Sequence, residues 1–329
     1  MTTTMSMKTV GGSVGSPRPS AFLYRNAMLI LLGVLVVAAA CVYPNFLTPA
    51  NISLILVQNA GLGVIAIAMT FLMVTGAFDL SVVPVFVGGG AVYAVLSSTV
   101  HWSIALLAAL AVGATAGLVN GIVVTRFKVN SFIATLATAS VYSGIAVALM
   151  GTNIINIQSP SARYLGTGTV AGVPMPIVIL VALFVIGQLV LGLTPYGRRL
   201  MSIGGSEEAS RLAGLRVNGL RLSAYLIVGA SAAFAGVLFA SKLGAIQSTQ
   251  LNSSADLLLN AIAVVVVGGT SLYGGEGSVW RTAIGLIVFA VLDNVLAGIN
   301  AGQPAVAITK GCVIILAVIT DAQARKRSG

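Results

Sequence analysis

Few side chains in this sequence could do chemistry. The carboxylates are Asp79, Glu207, Glu208, Asp256, Glu276, Asp293 and Asp321, beside a single histidine, His101, and two cysteines, Cys41 and Cys312. One histidine cannot build a His-rich metal site. The cysteines lie far apart inside apolar runs, without CxxC spacing, and read as small apolar side chains. No metal site is expected. There is no GxxxxGK[ST] phosphate cradle, no HExxH and no GxSxG element, so neither nucleotide hydrolysis nor metallo- or serine hydrolysis is encoded. Gly166-Thr-Gly168-Thr-Val-Ala171 matches a dinucleotide fingerprint formally, but no strand–helix unit surrounds it.

One polar segment carries a recognisable local structure. Between residues 194 and 221, Ser206 is a good helix N-cap, Glu207 and Glu208 fall in the first turn where the helix dipole favours negative charge, and Gly214 suits a left-handed C-terminal residue. Ala209, Leu212 and Ala213 give this helix a small apolar face, with Arg211 beside it. A short capped helix of this kind is a docking element for a partner groove. A solvated linker is the plainer alternative.

The elements that must position these residues are apolar. The chain has 329 residues, 57% hydrophobic and 7% charged, and a mean hydropathy of +1.04. Soluble proteins average about 25% charged residues, so a water-soluble enzyme and a disordered chain are both excluded. The fold class is all-α: a polytopic transmembrane helical bundle. Ten runs approach the ~20 residues needed to cross hydrocarbon: 26–43, 52–75, 80–99, 103–124, 132–151, 175–193, 222–241, 256–273, 279–298 and 303–320. Asp79 and Pro84 at the start of the third suggest a broken or re-entrant helix. Residues 1–25 have no apolar core of a secretory leader and form a polar tail; 26–320 form the membrane domain; 321–329 form a basic tail.

With the N-terminus inside, 14 of the 17 basic residues fall on the cytoplasmic side: three before the first run, Arg126 and Lys128, five in 194–221, Arg281, and three at the C-terminus. Net charge +10 is thus a membrane-topology signal rather than a nucleic-acid one, and both termini are expected inside. Arg163 and Lys242 are left outside, as natural contacts for acidic groups of a soluble partner. Gly113, Gly117 and Gly121, and Ala232, Gly236 and Ala240, are close-packing stripes. Asn59, Asp79, Asn120, Thr135, Thr138 and Asn260 could line a hydrophilic path or bond neighbouring helices. Asp293 and Lys310 lie at similar depth, ~7–10 Å from the outer ends of adjacent antiparallel spans at 1.5 Å per residue, and are expected to pair; snorkelling of Lys310 is the rival.

Four segments carry a resemblance. Glu208-Ala209-Ser210-x-x-x-Gly214 resembles the EAA loop of ABC importer permeases, with Ser for the second Ala, and Tyr196-Gly197-Arg198 through Asn218 looks like the ribose/xylose/galactofuranose branch. Thr75-Gly76-Ala77-Phe78-Asp79-Leu80-Ser81 is similar to that branch's TGG-x-DLS element. Asn120-Gly121 through Lys128-Val129, then Phe132-Ile133-Ala134-Thr135-Leu136-Ala137-Thr138, resembles its NG…KV..FIATLAT stretch. Val267-Gly268-Gly269-Thr270-Ser271-Leu272-Tyr273-Gly274-Gly275-Glu276-Gly277 is close to its GGTSL-x-GG-x-G turn. Ala77 stands where a second Gly is usual, and Val83-Pro84 replaces a common Gly-Ser.

The resemblance covers roughly residues 45–320 and implies a multi-pass subunit of a bacterial cytoplasmic (inner) membrane. A second permease subunit, identical or related, would complete the pathway. A cytoplasmic ABC ATPase, holding the ATP and Mg, would dock on Ser206, Glu207, Glu208, Ala209, Arg211, Leu212 and Gly214. An external sugar-binding protein would meet Arg163 and Lys242. The chain itself would carry no cofactor and no catalytic residue, and would touch membrane lipid but no nucleic acid. A branched-chain amino-acid-type ABC permease and an ion-coupled secondary transporter are the alternatives.

Overall fold

The computed structural model describes residues 19–328. In chain order the elements are α1 (Pro19–Val42), α2 (Pro49–Met73), α3 (Val82–Leu96), α4 (Trp102–Arg126), α5 (Ser131–Met150), β1 (Ile154–Asn156), α6 (Pro160–Thr167), β2 (Thr169–Val170), β3 (Val173–Pro174), α7 (Met175–Leu193), α8 (Pro195–Gly205), α9 (Glu207–Leu212), α10 (Val217–Leu243), β4 (Ala245–Gln247), α11 (Gln250–Ser253), α12 (Ala255–Val267), α13 (Val279–Gly298) and α14 (Gln303–Ser328). Among the described residues, seven helical stretches are long and apolar enough to cross a membrane: α2, α4, α5, α7, α10, α13 and the run Gln250–Val267; Met28–Val42, Val82–Leu96 and Gln303–Leu316 are shorter apolar helices. Each of the ten apolar runs overlaps one of them. Most of the polar tail expected over 1–25 lies outside the described residues, and α14 continues past the boundary placed at 320.

Several ends differ from expectation. The eighth run does not reach residue 273: its helix stops at Val267, and Gly269 takes φ +82° in the turn that follows. The third is a helix over Val82–Leu96 preceded by a non-helical stretch, with Pro84 in its first turn, where the missing N–H costs nothing. The segment 194–221 holds two helices, α8 and α9, and the first turn of α10.

The core is built around α10, which packs against α4, α3 and α2. Its Ala232, Ala233, Ala235 and Ala240 are fully buried. A Cβ on Gly117 of α4 would strike the Tyr225 backbone, and one on Gly236 of α10 would strike the backbone of Phe86 in α3. The two small-residue stripes are therefore places where helix backbones touch. On the far side from α9, β1 pairs antiparallel with β4, Ile155 opposite Ile246, and β2 with β3 through a turn at Ala171 and Gly172. The dinucleotide-like segment is thus the end of α6 plus a hairpin, and Gly166 sits against the backbone of Ser241 and Lys242.

Candidate functional site

The short helix α9 has both ends fixed by its own sequence. Ser206 Oγ accepts from Ala209 N–H at 3.2 Å. At the other end Gly214 has φ +80°; its N–H donates to Arg211 O and that of Leu215 to Ser210 O, both 3.0 Å. These two bonds are the Schellman pattern that ends a helix on a left-handed glycine. Leu212 stands 84% exposed, with Glu208, Ala209, Arg211 and Ala213 exposed around it. An uncovered leucine on a helix that short is unsupported by burial.

Glu207 ties this helix to the bundle. Its Oε1 accepts from Arg211 Nη2 at 2.7 Å and Nε at 3.2 Å, and its Oε2 from Arg221 Nη2 at 2.9 Å. The hydrogen bonds from Arg211 lower the Glu207 carboxyl most, desolvation opposes them, and the Arg221 guanidinium adds to the lowering, so the group is held below its ordinary value. Arg221 Nη2 also donates to Thr75 O at 3.3 Å, the carbonyl just past α2. Three glycine-bearing turns meet here. Gly275 N–H donates to Val74 O at 2.9 Å, and a Cβ on Gly204 would strike Val74 O and the Gly275 backbone. The 268–277 segment is an inter-helix turn, with Gly274 and Gly275 at φ +88° and +84°.

Beyond this junction lies the break between α2 and α3. Asp79 is 1% exposed. It accepts from Ser81 N–H at 2.8 Å and Ser81 Oγ at 2.7 Å, and from Asn120 Nδ2 at 3.2 and 3.1 Å. Tyr142 OH donates to Asn120 Oδ1 at 3.3 Å. Thr135 Oγ1 accepts from Leu80 N–H at 3.0 Å, Ser131 Oγ from Phe78 N–H at 3.3 Å, and Tyr225 OH donates to Phe78 O at 3.0 Å. Thr138 is half-buried and donates to Thr135 O at 3.2 Å. Asp79, Asn120 and Thr135 thus form one buried polar knot that holds the break.

The remaining polar candidates are elsewhere. Asn59 lines a cavity of about 300 Å³ bounded by α2, α10 and α12, with Gln58, Ser254 and Lys242 as its other polar walls. Asn260 is half-buried on α12 and not part of that wall. Arg163 and Lys242, expected on an open outer rim, are both half-buried. Lys242 faces this cavity, and the Arg163 guanidinium lies over Gly244. The long outer segment folds back through β1–β4 pairing and α6, which draws both cations inward. Lys310 Nζ lies 2.8 Å from Asp293 Oδ1, with side chains 17% and 33% exposed.

Sequence reasoning missed α8 and the roles of Arg221 and Tyr225. Thr194-Pro195, an N-cap followed by Pro at N1, was a readable signal for α8. Arg221 and Tyr225, four apart at the start of a long apolar helix, share one face; only the folded break shows what they hold.

A family described as "Branched-chain amino acid transport system / permease component" matches residues 51–318. The chain is similar to the ribose import permease protein RbsC of Bacillus subtilis, 36% identical over 300 residues that cover 90% of this chain and 91% of the relative. RbsC of Escherichia coli K12 is 34% identical over 306 residues, covering 92% and 94%. The L-arabinose transport system permease protein AraH of Escherichia coli K12 is 33% identical over 334 residues, 98% of each chain. No solved structure matches.

Proposed function

The chain belongs to the family of branched-chain amino acid transport system permease components, and from that membership we propose that it is the membrane-spanning permease subunit of an ATP-driven, binding-protein-dependent sugar importer. The observation that carries the reading is the exposed, doubly capped helix α9, joined to the core through Glu207. The named relatives import ribose and arabinose, which favours a pentose over a branched-chain amino acid. Xylose and galactofuranose belong to the same reading.

In this reading ten segments cross a bacterial inner membrane and both termini are cytoplasmic. Residues 26–320 form the permease domain and the flanking tails stay in the cytoplasm. A second copy or a related subunit completes the pathway. An ABC ATPase binds ATP and Mg and docks on α9; this chain supplies neither the nucleotide site nor a catalytic group. An external sugar-binding protein meets the outer face near Arg163 and Lys242, both half-buried there. Polar groups such as Asn59 give hydroxyl-rich cargo hydrogen bonds in passage.

The test is reconstitution in proteoliposomes with an ABC ATPase and a sugar-binding protein encoded beside it. Uptake of labelled ribose or arabinose should require ATP and stop with an ATPase-site inhibitor, while collapse of ion gradients leaves it intact. Uptake of leucine instead of a pentose would establish the amino-acid alternative. Uptake abolished by collapse of an ion gradient, without need of ATP, would establish a secondary transporter.

A further inference from the structure

The geometry points to Arg221 as the residue that transmits movement of α9 to the break between α2 and α3. The inference rests on the transport reading above and deepens it: α9 is where the ATPase would push, and Arg221 is where the push enters the membrane domain.

Arg221 sits in the first turns of α10 with its side chain 15% exposed. One nitrogen, Nη2, makes both of its described bonds, to Glu207 Oε2 at 2.9 Å and to Thr75 O at 3.3 Å. Its Nε is buried with no partner among the described residues. The side chain is therefore held by two acceptors from two different elements, and displacement of either pulls on the other. Four residues on, Tyr225 holds Phe78 O at 3.0 Å. Residues four apart on a helix lie one above the other. One face of α10 thus grips the chain on both sides of the Gly76 turn, at Thr75 and at Phe78.

Glu207 has a second anchor that isolates this link. Its Oε1 stays bonded to Arg211 within α9, and the Ser206 and Gly214 caps are independent of Arg221. Arg211 Nη2 also donates to Asn218 Oδ1 of α10 at 2.9 Å, so removing the Arg221 head group leaves α9 capped and still tied to α10, and cuts its link from Glu207 to Thr75. Arg221 is a positioning residue: it touches neither cargo nor nucleotide.

The experiment uses the full transporter, permease with its ATPase and binding protein, in proteoliposomes, and reads pentose uptake per ATP hydrolysed together with co-purification of the ATPase. Wild type first shows ATP-dependent uptake and a bound ATPase; if it does not, the transport reading itself has failed, and the inference with it. In Arg221→Gln the ATPase should remain bound while uptake per ATP falls about tenfold, a usual size for coupling between sites. Glu207→Gln should lower the same ratio, and Glu207→Gln with Arg221→Gln should lower it no further than either single change. If Arg221→Gln accumulates poorly, Arg221→Lys replaces it: the cation is kept, but the planar fork is lost, and the ratio should fall several-fold. An unchanged ratio in the Arg221 variant, additive losses in the double variant, or loss of bound ATPase in proportion to lost uptake would each overturn the assignment.

Discussion

Replacing Gly214 by alanine separates backbone conformation from packing. An added Cβ there meets nothing within 4 Å, yet the residue sits at φ +80°. The whole effect of the methyl is therefore conformational. An L-residue in the left-handed region costs roughly 1–2 kcal/mol, offset in part by the unfolded-state entropy that alanine removes, about 0.4–1 kcal/mol. A net loss near 1 kcal/mol is a factor of about 5 in the ratio of ordered to disordered helix; valine, stiff at χ1, should lose more. A six-residue helix has no margin of its own, so the two cap bonds and the Glu207–Arg211 pair within it decide whether it is ordered. If the ATPase binds only the ordered form, its apparent affinity falls with the ordered fraction. Titration of purified ATPase onto permease in nanodiscs should give a Kd weakened a few-fold for Gly214→Ala and further for Gly214→Val. Gly205→Ala and Gly219→Ala are the controls, since both positions are open and neither has a positive φ. Gly214→Val binding as tightly as Gly205→Ala would refute the reasoning.

Three further outcomes follow from contacts in the structure. Neutralising one member of the Asp293–Lys310 pair leaves a partly buried charge unpartnered at a cost on the order of 1–3 kcal/mol. Asp293→Asn and Lys310→Met should each lower the thermal midpoint in detergent, and the double variant should recover part of the loss, whereas simple addition would exclude the pair. A methyl on Gly117 runs into the Tyr225 backbone, while one on Gly144 of α5 meets open space; Gly117→Ala should therefore destabilise the bundle by about 1–3 kcal/mol, and Gly144→Ala should leave the midpoint unchanged. Because the folded Glu207 carboxyl is held below its ordinary value of about 4.5, its contribution to α9 is complete above that pH and is lost as the pH falls through the lower folded value. A carboxyl NMR titration should show the Glu207 midpoint rising in Arg211→Gln, and an unmoved midpoint would remove Arg211 as the cause.

What could be read directly was what acts locally. Hydrocarbon demands long apolar runs, so each expected run has its helix, and the caps of α9 are set by Ser206 and Gly214 within a few residues of sequence. Helix ends were less legible, for opposite reasons. Hydropathy shortened α10 because its first turns carry Asn218 and Arg221, and it lengthened the eighth run because Leu272 and Tyr273 look like span although the turn at Gly268–Gly269 has already ended the helix. The β1–β4 pairing joins three-residue strands far apart in sequence, too short to show a period of two. Charge counting assigned Arg163 and Lys242 to a side of the membrane but could not show the fold that half-buries them. The polar residues inside the spans were identifiable as a group, but their division between a knot at Asp79 and a cavity at Asn59 depends on which helices neighbour each other.

The break between α2 and α3 is better described as a junction than as a hinge. An interrupted helix frees backbone groups that lipid and apolar side chains cannot satisfy, so such a break persists only where protein bonds them. Here Ser131 and Thr135 of α5 accept from Phe78 and Leu80 N–H, and Arg221 and Tyr225 of α10 donate to Thr75 and Phe78 carbonyls. Asn120 of α4 fastens the Asp79 side chain. Shifting the segment alone would strand several buried donors and acceptors at once, each at about 1–3 kcal/mol. Moving it together with α4, α5 and α10 keeps all of these bonds. A force arriving through Glu207 at the start of α10 is therefore shared at once with three long helices, so the break moves as a rigid part of them rather than flexing between them.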